Sequence, residues 1–351
     1  MEDHIIDLPK RIIIGEGVLD RLDNYMAEMF KAGSSVFVVT GPHILGSVYP
    51  KVSQMLEDKG FSVAPIVVGP ASVEEAQRVA DEAKRDRADV LLGLGGGRSI
   101  DLAKYAAAEI NKEFVSVPTA PSHDGITSPF ATLRGFERPY SKLAKPPKLL
   151  LLDIKVMMSA PRRLASAGFG DLIGKFTAVL DWRLSHRLRG EYYGAYAASL
   201  ALMSAKHVSA YAKSIGLGQA EGLRALVEAL VSSGVAMCIA GSSRPASGSE
   251  HLFAHALEVV SKNPPLHGEA VGVGTIMMSY LHGRNWRAIR RLLSEAKAPT
   301  NAKELGVSDE DIIEALVKAA QIRPERYTIL GEKGLTRDAA EELATRTGVI
   351  A

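Results

Sequence analysis

The chain has 351 residues, enough for two domains of about 100–200 residues each. Its 46% hydrophobic and 23% charged residues describe a globular protein with a real core and exclude a disordered chain. With 42 basic against 40 acidic residues, it lacks the basic excess of a nucleic-acid binder, and no nucleic-acid partner is expected.

In chain order, Arg11-Ile12-Ile13-Ile14-Gly15 reads as a strand, and residues 18–30 have helical spacing. Residues 35–40 form a second strand stopped by Gly41-Pro42, residues 50–59 are helical, and residues 61–68 make a third strand ending at Gly69-Pro70. Ser72 is the N-cap of a helix over 72–87, with Glu74 and Glu75 in its first turn. Residues 88–94 are a continuous apolar run without alternation, as expected of a strand buried on both faces of a parallel sheet. Residues 114–118 and 148–152 are two further strands. The alternation of buried strands with helices predicts a doubly wound, Rossmann-like α/β domain.

After about residue 153 the pattern changes. Residues 165–184, 191–214, 219–239, 249–260, 270–280, 285–296, 309–320 and 337–346 read as helices, with no convincing strand. The expectation is an α/β domain over 1–155 and an all-helical domain over 156–351, with a ligand in the cleft between them at the carboxyl ends of the strands. Cys238, the single cysteine, lies in an apolar run and reads as a small buried hydrophobe, which excludes an internal disulfide and any cysteine-rich zinc module. The polar N-terminus is wrong for a secretory signal, and no apolar stretch approaches the ~20 residues of a membrane span. A cytoplasmic protein is expected.

Gly95-Gly96-Gly97-Arg98-Ser99-Ile100-Asp101 follows the buried strand and opens a helix. Glycines at a strand-to-helix turn allow positive φ and close backbone approach, and the helix start offers free N–H groups to a pyrophosphate. A purely structural turn is the alternative. The pattern is not G-x-G-x-x-G and comes on the fourth strand, so it is a different dinucleotide-binding arrangement. After the next strand comes a loop dense in hydroxyls, residues 117–129. Its Thr119, Ser122 and Ser128 suit a cofactor, and its Asp124 suits a substrate hydroxyl.

In the helical half, His251 and His255 stand at i and i+4 on one helix face, His267 follows near Gly268-Glu269, and Asp171 lies at or near a helix start. Carboxylate and imidazole donors of this kind suit a catalytic zinc with an open position. Spacing alone leaves ordinary core histidines as an equal reading.

Taken together, these motifs resemble the iron-alcohol-dehydrogenase and dehydroquinate-synthase superfamily along nearly the whole chain, from Ile14-Gly15-Glu16-Gly17-Val18-Leu19 through the glycine loop and Pro118-Thr119 to Asp171, His251 and His267. Within it, Ser122-His123-Asp124-Gly125, residues 168–175 and Gly248-Ser249-Glu250-His251 resemble the sn-glycerol-1-phosphate dehydrogenase family. The resemblance implies a dehydroquinate-synthase-like fold: a dinucleotide-binding domain, then a helical metal- and substrate-binding domain, in a homo-oligomer. It implies reversible NAD(H)- or NADP(H)-dependent reduction of dihydroxyacetone phosphate to sn-glycerol 1-phosphate, a first step toward ether lipids. It implies Zn²⁺ on Asp171, His251 and His267, and cofactor contacts from Gly97, Arg98, Ser99, Ile100, Asp101, Thr119, Ala120, Pro121, Ser122 and Ser128. Substrate contacts fall to Asp124, Asp171 and His255, with Asp124 and His255 in the catalytic roles.

Where the iron enzymes have a further histidine one turn after the aspartate, this chain has Lys175, which favours three-ligand zinc over iron. Lys175 and Arg244 are the sequence's candidates for the substrate phosphate. The second strand ends without an acidic residue to exclude a 2′-phosphate, so both NADH and NADPH are expected to be accepted. The rival readings are a glycerol dehydrogenase, a carbocycle-forming lyase of the dehydroquinate-synthase kind, and a nucleotide-binding module without chemistry.

Overall fold

A computed structural model describes residues 4–135 and 140–351. The chain separates into two compact units, Met1–Pro121 with Gly125–Ala160, and Ser122–Asp124 with Pro161–Ala351. The first is an α/β unit and the second is helical.

The α/β unit contains β1 (Arg11–Gly15), β2 (Ser35–Thr40), β3 (Ser62–Val67), β4 (Val90–Gly95), β5 (Glu113–Pro118), β6 (Phe130–Leu133), β7 (Tyr140–Leu143) and β8 (Leu149–Asp153). Its helices are α1 (Leu22–Ala27), α2 (Pro42–Ser47), α3 (Tyr49–Asp58), α4 (Val73–Arg85), α5 (Gly97–Glu109) and α6 (Ile154–Met158). Six strands form one parallel sheet in the order β1-β8-β5-β4-β2-β3. The burial of both faces expected of residues 88–94 is met in β4: Leu91 joins a core with Val79, Ala80, Ile100 and Ala103 of α4 and α5, while Val90, Leu92 and Leu94 join a core on the other face with Leu22, Met26, Val52 and Leu56. Ser72 caps α4 by accepting the Glu75 N–H at 3.1 Å. The antiparallel pair β6–β7 is an addition for which the sequence reading has no counterpart.

The chain runs outward from β2 to β3, then returns to the other side of β2 at β4. Strand order therefore reverses between β2 and β4, the place where open α/β sheets bind ligands beyond the strands' carboxyl ends. The glycine loop leaves β4 at this point.

The helical unit comprises α7 (Arg162–Ile173), α8 (Lys175–Arg189), α9 (Ala195–Ser209), α10 (Ala212–Gly216), α11 (Ala220–Ala240), α12 (Ser249–Val260), α13 (His267–Leu281), α14 (Trp286–Glu295), α15 (Ala302–Leu305), α16 (Asp309–Ile322) and α17 (Arg337–Arg346), and no strand occurs among its described residues. The single helix expected over 165–184 is two, α7 and α8, meeting at Gly174. Lys175 Nζ donates to the Asp171 carbonyl at 2.8 Å, the acceptor an unbroken helix would use, and a side chain inserted there breaks the ladder. The run expected as one helix over 191–214 is also two, α9 and α10.

Helix α11, 21 residues long, is apolar enough by length and composition to cross a membrane, contrary to the expectation that no stretch approaches that length. Two-thirds of its apolar window is buried inside the protein, as in a core helix that is hydrophobic nearly all round.

Candidate metal centre and cofactor loop

The helical unit brings Asp171, His251 and His267 together. Asp171 lies near the end of α7 and not at the helix start expected, His251 lies in the first turn of α12, and His267 is the first residue of α13, a helix expected only from residue 270. Glycines beside two of these residues explain their approach. A Cβ on Gly170 would lie 2.2 Å from the Gly268 carbonyl oxygen, and one on Gly268 would lie 1.9 Å from that of Ala167. Only hydrogen in both positions lets α7 and α13 meet backbone to backbone, which carries Asp171 toward His267.

One ligand atom from each of Asp171, His251 and His267 lies within 4.8 Å of the others. His251 Nε2 stands 3.4 Å from Asp171 Oδ1. Ligand atoms about 2.0–2.2 Å from a tetrahedral zinc are about 3.4 Å apart, so the spacing of this pair suits that ion. His267 Nδ1 is buried and makes no hydrogen bond among the described residues, which is costly for a polar atom unless something else binds there. The donor set of one carboxylate and two imidazoles fits a divalent metal with an open position.

Around these residues lies a buried polar network. Lys175, wholly buried, places Nζ 2.9 Å from Asp171 Oδ1 and 2.9 Å from Asp124 Oδ2. The Asp124 N–H donates to Asp171 Oδ2 at 2.9 Å, and Ser233 Oγ on α11 donates to Asp124 Oδ2 at 2.7 Å. These contacts explain why Ser122–Asp124 groups with the helical unit. Glu250 accepts from Thr177 Oγ1 at 2.6 Å and from the Gly248 N–H at 2.6 Å, and its Oε1 is 2.9 Å from His251 Nδ1. His255 is buried beside them, its ring centroid 5.3 Å from that of His267, with Nδ1 3.6 Å from Glu258.

The charge states follow from this packing. Burial alone would push the Asp171 carboxyl up, but Lys175 and then His251 hold it well below the usual carboxylate range. Burial would pull the Lys175 ammonium down, but Asp124 and Asp171 outweigh it and its pKa is pushed up to about 12. Burial, then the neighbouring imidazoles of His251 and His255, pull His267 down to about 3, so its ring is neutral at neutral pH and one of its nitrogens keeps a free lone pair. Burial lowers His255 as well. For His251, burial opposes and the hydrogen bonds it makes to the Asp171 and Glu250 carboxylates prevail, raising it.

Neither sequence candidate for a phosphate partner has its cation free. Lys175 is committed to two carboxylates, and Arg244 forks onto Glu191 while also bonding Ser185 Oγ and the Tyr327 carbonyl. The sequence reading also missed Glu250, Thr177 and Ser233 as parts of the site. Glu250 had a signal, standing beside His251, whereas Ser233 had none in its apolar helix.

In the α/β unit, Gly95 has φ +146°, and a Cβ there would lie 2.9 Å from Ser99 Oγ, so the turn into α5 requires glycine. Gly96 is the N-cap of α5 with no side-chain cap, which leaves first-turn N–H groups for a ligand, and nothing lies within 4 Å of where its Cβ would be. Gly97, Arg98 and Ser99 begin the helix, and the Arg98 guanidinium lies 3.3 Å from a Cβ built on Gly41, over the end of β2. Ile100 is buried in the core, so any ligand contact it makes is through backbone. Asp101 accepts from Lys104 Nζ at 3.1 Å and from the Thr132 N–H at 3.2 Å. The Thr119 N–H donates to the Gly95 carbonyl at 2.8 Å, which sets the Thr119-Ala120-Pro121 stretch beside the glycine loop. Ser122 follows it into the other unit, and Ser128 is buried with Oγ 3.4 Å from the Phe130 N–H.

The sheet's reversal and glycine loop suit a dinucleotide, and the carboxylate–imidazole cluster of the helical unit suits a divalent metal. Residues 13–161 match the family model described as iron-containing alcohol dehydrogenase. Over 347 residues, 99% of each chain, the sequence is 62% identical to the glycerol-1-phosphate dehydrogenase (NAD(P)+) of Aeropyrum pernix. It is 52% identical over 350 residues to the enzyme of that name from Sulfurisphaera tokodaii, covering 100% of this chain and 99% of that one. The chain belongs to the glycerol-1-phosphate dehydrogenase family. Among solved structures it is similar in fold to a glycerol dehydrogenase from Schizosaccharomyces pombe, with TM-score 0.80 and 21% identity over 99% of this chain and 91% of that one.

Proposed function

We propose that this chain catalyses the NAD(P)-dependent interconversion of dihydroxyacetone phosphate and sn-glycerol 1-phosphate, with zinc held by Asp171, His251 and His267. The observation that carries the reading is the buried approach of these three donors in a chain of this family. Zinc is preferred to iron because Lys175 stands one turn after Asp171 and spends its ammonium on Asp171 and Asp124, leaving one carboxylate and two imidazoles as donors. When bound, zinc supplies Lewis-acid polarisation of a carbonyl and the nicotinamide supplies the hydride.

The chain's own residues do the rest. Lys175 and Ser233 fix Asp124 through Oδ2, so Oδ1 is the oxygen offered to a substrate hydroxyl. His255, buried and unprotonated at neutral pH, orients the second hydroxyl and relays the proton that the reduced oxygen needs. The bare N–H groups at the start of α5 hold the cofactor pyrophosphate. The end of β2 carries no carboxylate and lies under the Arg98 guanidinium, which suits either a ribose hydroxyl or a 2′-phosphate.

The test is His251→Ala beside chelator-treated wild type. Zinc retention and turnover are expected to fall together in both. Full activity in zinc-depleted protein would refute the scheme.

A further inference from the structure

We infer that Glu250 is the positioning residue of the metal centre, holding the His251 ring by Nδ1 so that Nε2 is committed to the ion. The inference rests on the zinc reading above.

Successive residues of a helix point about 100° apart, so a glutamate does not ordinarily bond the ring of the next residue. Here the start of α12 is shaped to allow it. Asp181, also wholly buried, accepts the Ser249 N–H at 2.7 Å and Ser249 Oγ at 2.6 Å, fixing the helix's first residue. Glu250 then turns back onto the Gly248 N–H and reaches Thr177 on α8. A wholly buried carboxylate is costly unless its lone pairs are met, and these two donors meet only part of that need. The His251 Nδ1–H supplies the rest. With that proton on Nδ1, the lone pair belongs to Nε2, which faces Asp171 Oδ1 at 3.4 Å. The carboxylate also makes the imidazole a stronger donor.

The other two imidazoles of the cluster lack such support. Among the described residues, His255 Nδ1 and His267 Nδ1 make no hydrogen bond, and Glu258 stands 3.6 Å from His255 Nδ1. His251 is thus the ring the fold orients before any ion arrives.

The experiment measures zinc affinity by competition with a chromogenic chelator for wild type, Glu250→Gln and Thr177→Val, together with the visible spectrum of the cobalt(II)-substituted proteins. Glu250→Gln is expected to bind zinc about 10–100-fold more weakly and to shift the cobalt bands. Thr177→Val, which keeps the shape but removes a donor to Glu250, is expected to move both readouts the same way by less. Wild-type zinc affinity and an unchanged cobalt spectrum in Glu250→Gln would overturn the inference while leaving the metal reading intact. If that variant does not fold, an unchanged Thr177→Val overturns it. A wild type that binds no zinc overturns both readings.

Discussion

Lys175 shows how one side chain balances the buried charges of the site. It lies between Asp124 and Asp171, with Nζ 2.9 Å from each. Removing one partner of a buried pair leaves an uncompensated charge, so Lys175→Met is expected to lower the unfolding free energy by about 3–5 kcal/mol at neutral pH, read by urea denaturation. The pH dependence has a definite sign. The lysine's folded pKa of about 12 exceeds its ordinary 10.5, so its stabilisation is full below 10.5 and is lost as pH rises through 12. That alkaline decline should be present in wild type and missing from the variant; matching curves would show that Lys175 does not hold the carboxylates. That Asp171, His251 and His267 would come together was expected from the family resemblance, since their spacing alone left ordinary core histidines an equal reading. The roles of Lys175 and Glu250 were not, because they depend on which way a side chain turns within one helical turn.

Between elements, the α7–α13 contact decides whether the donors meet. Gly268→Ala would drive a Cβ into the Ala167 carbonyl, and the helices would have to part. A loss of about 1–3 kcal/mol or more is expected, with weakened zinc retention, in thermal melts and metal analysis. A variant with wild-type melting and metal content would contradict the packing account. Gly96→Ala is the opposite case, since its φ is ordinary and its Cβ would meet open space. It should melt like wild type but bind cofactor about tenfold more weakly, because the methyl stands where the pyrophosphate must approach. Unchanged cofactor KM would place the phosphates elsewhere. Among the strands of the parallel sheet, β4 was legible from its unbroken apolar run. The break between α7 and α8 was not, because it accompanies Lys175 reaching the Asp171 carbonyl, a side-chain bond that leaves no mark in the local pattern. Membrane-length apolarity in α11 was missed for a related reason: its few charges sit near one end of a run otherwise rich in small and aliphatic residues.

For the whole molecule, the change from alternating strands to unbroken helices near residue 153 carried the architecture, since each pattern admits few folds. What no local pattern could carry was the grouping of Ser122–Asp124 with the helical unit, which follows from bonds of Asp124 to residues 47 and 109 positions later. The same distance separates motif from function, because a shared scaffold does not fix the substrate. The most direct test of the central claim is oxidation of NADH and NADPH with dihydroxyacetone phosphate and, separately, dihydroxyacetone, with and without a chelator and with the chirality of the product assigned. Chelator-sensitive turnover of the phosphate, giving the sn-1 product with either cofactor, is the expected result. Turnover of dihydroxyacetone alone, or activity indifferent to the chelator, would contradict the account.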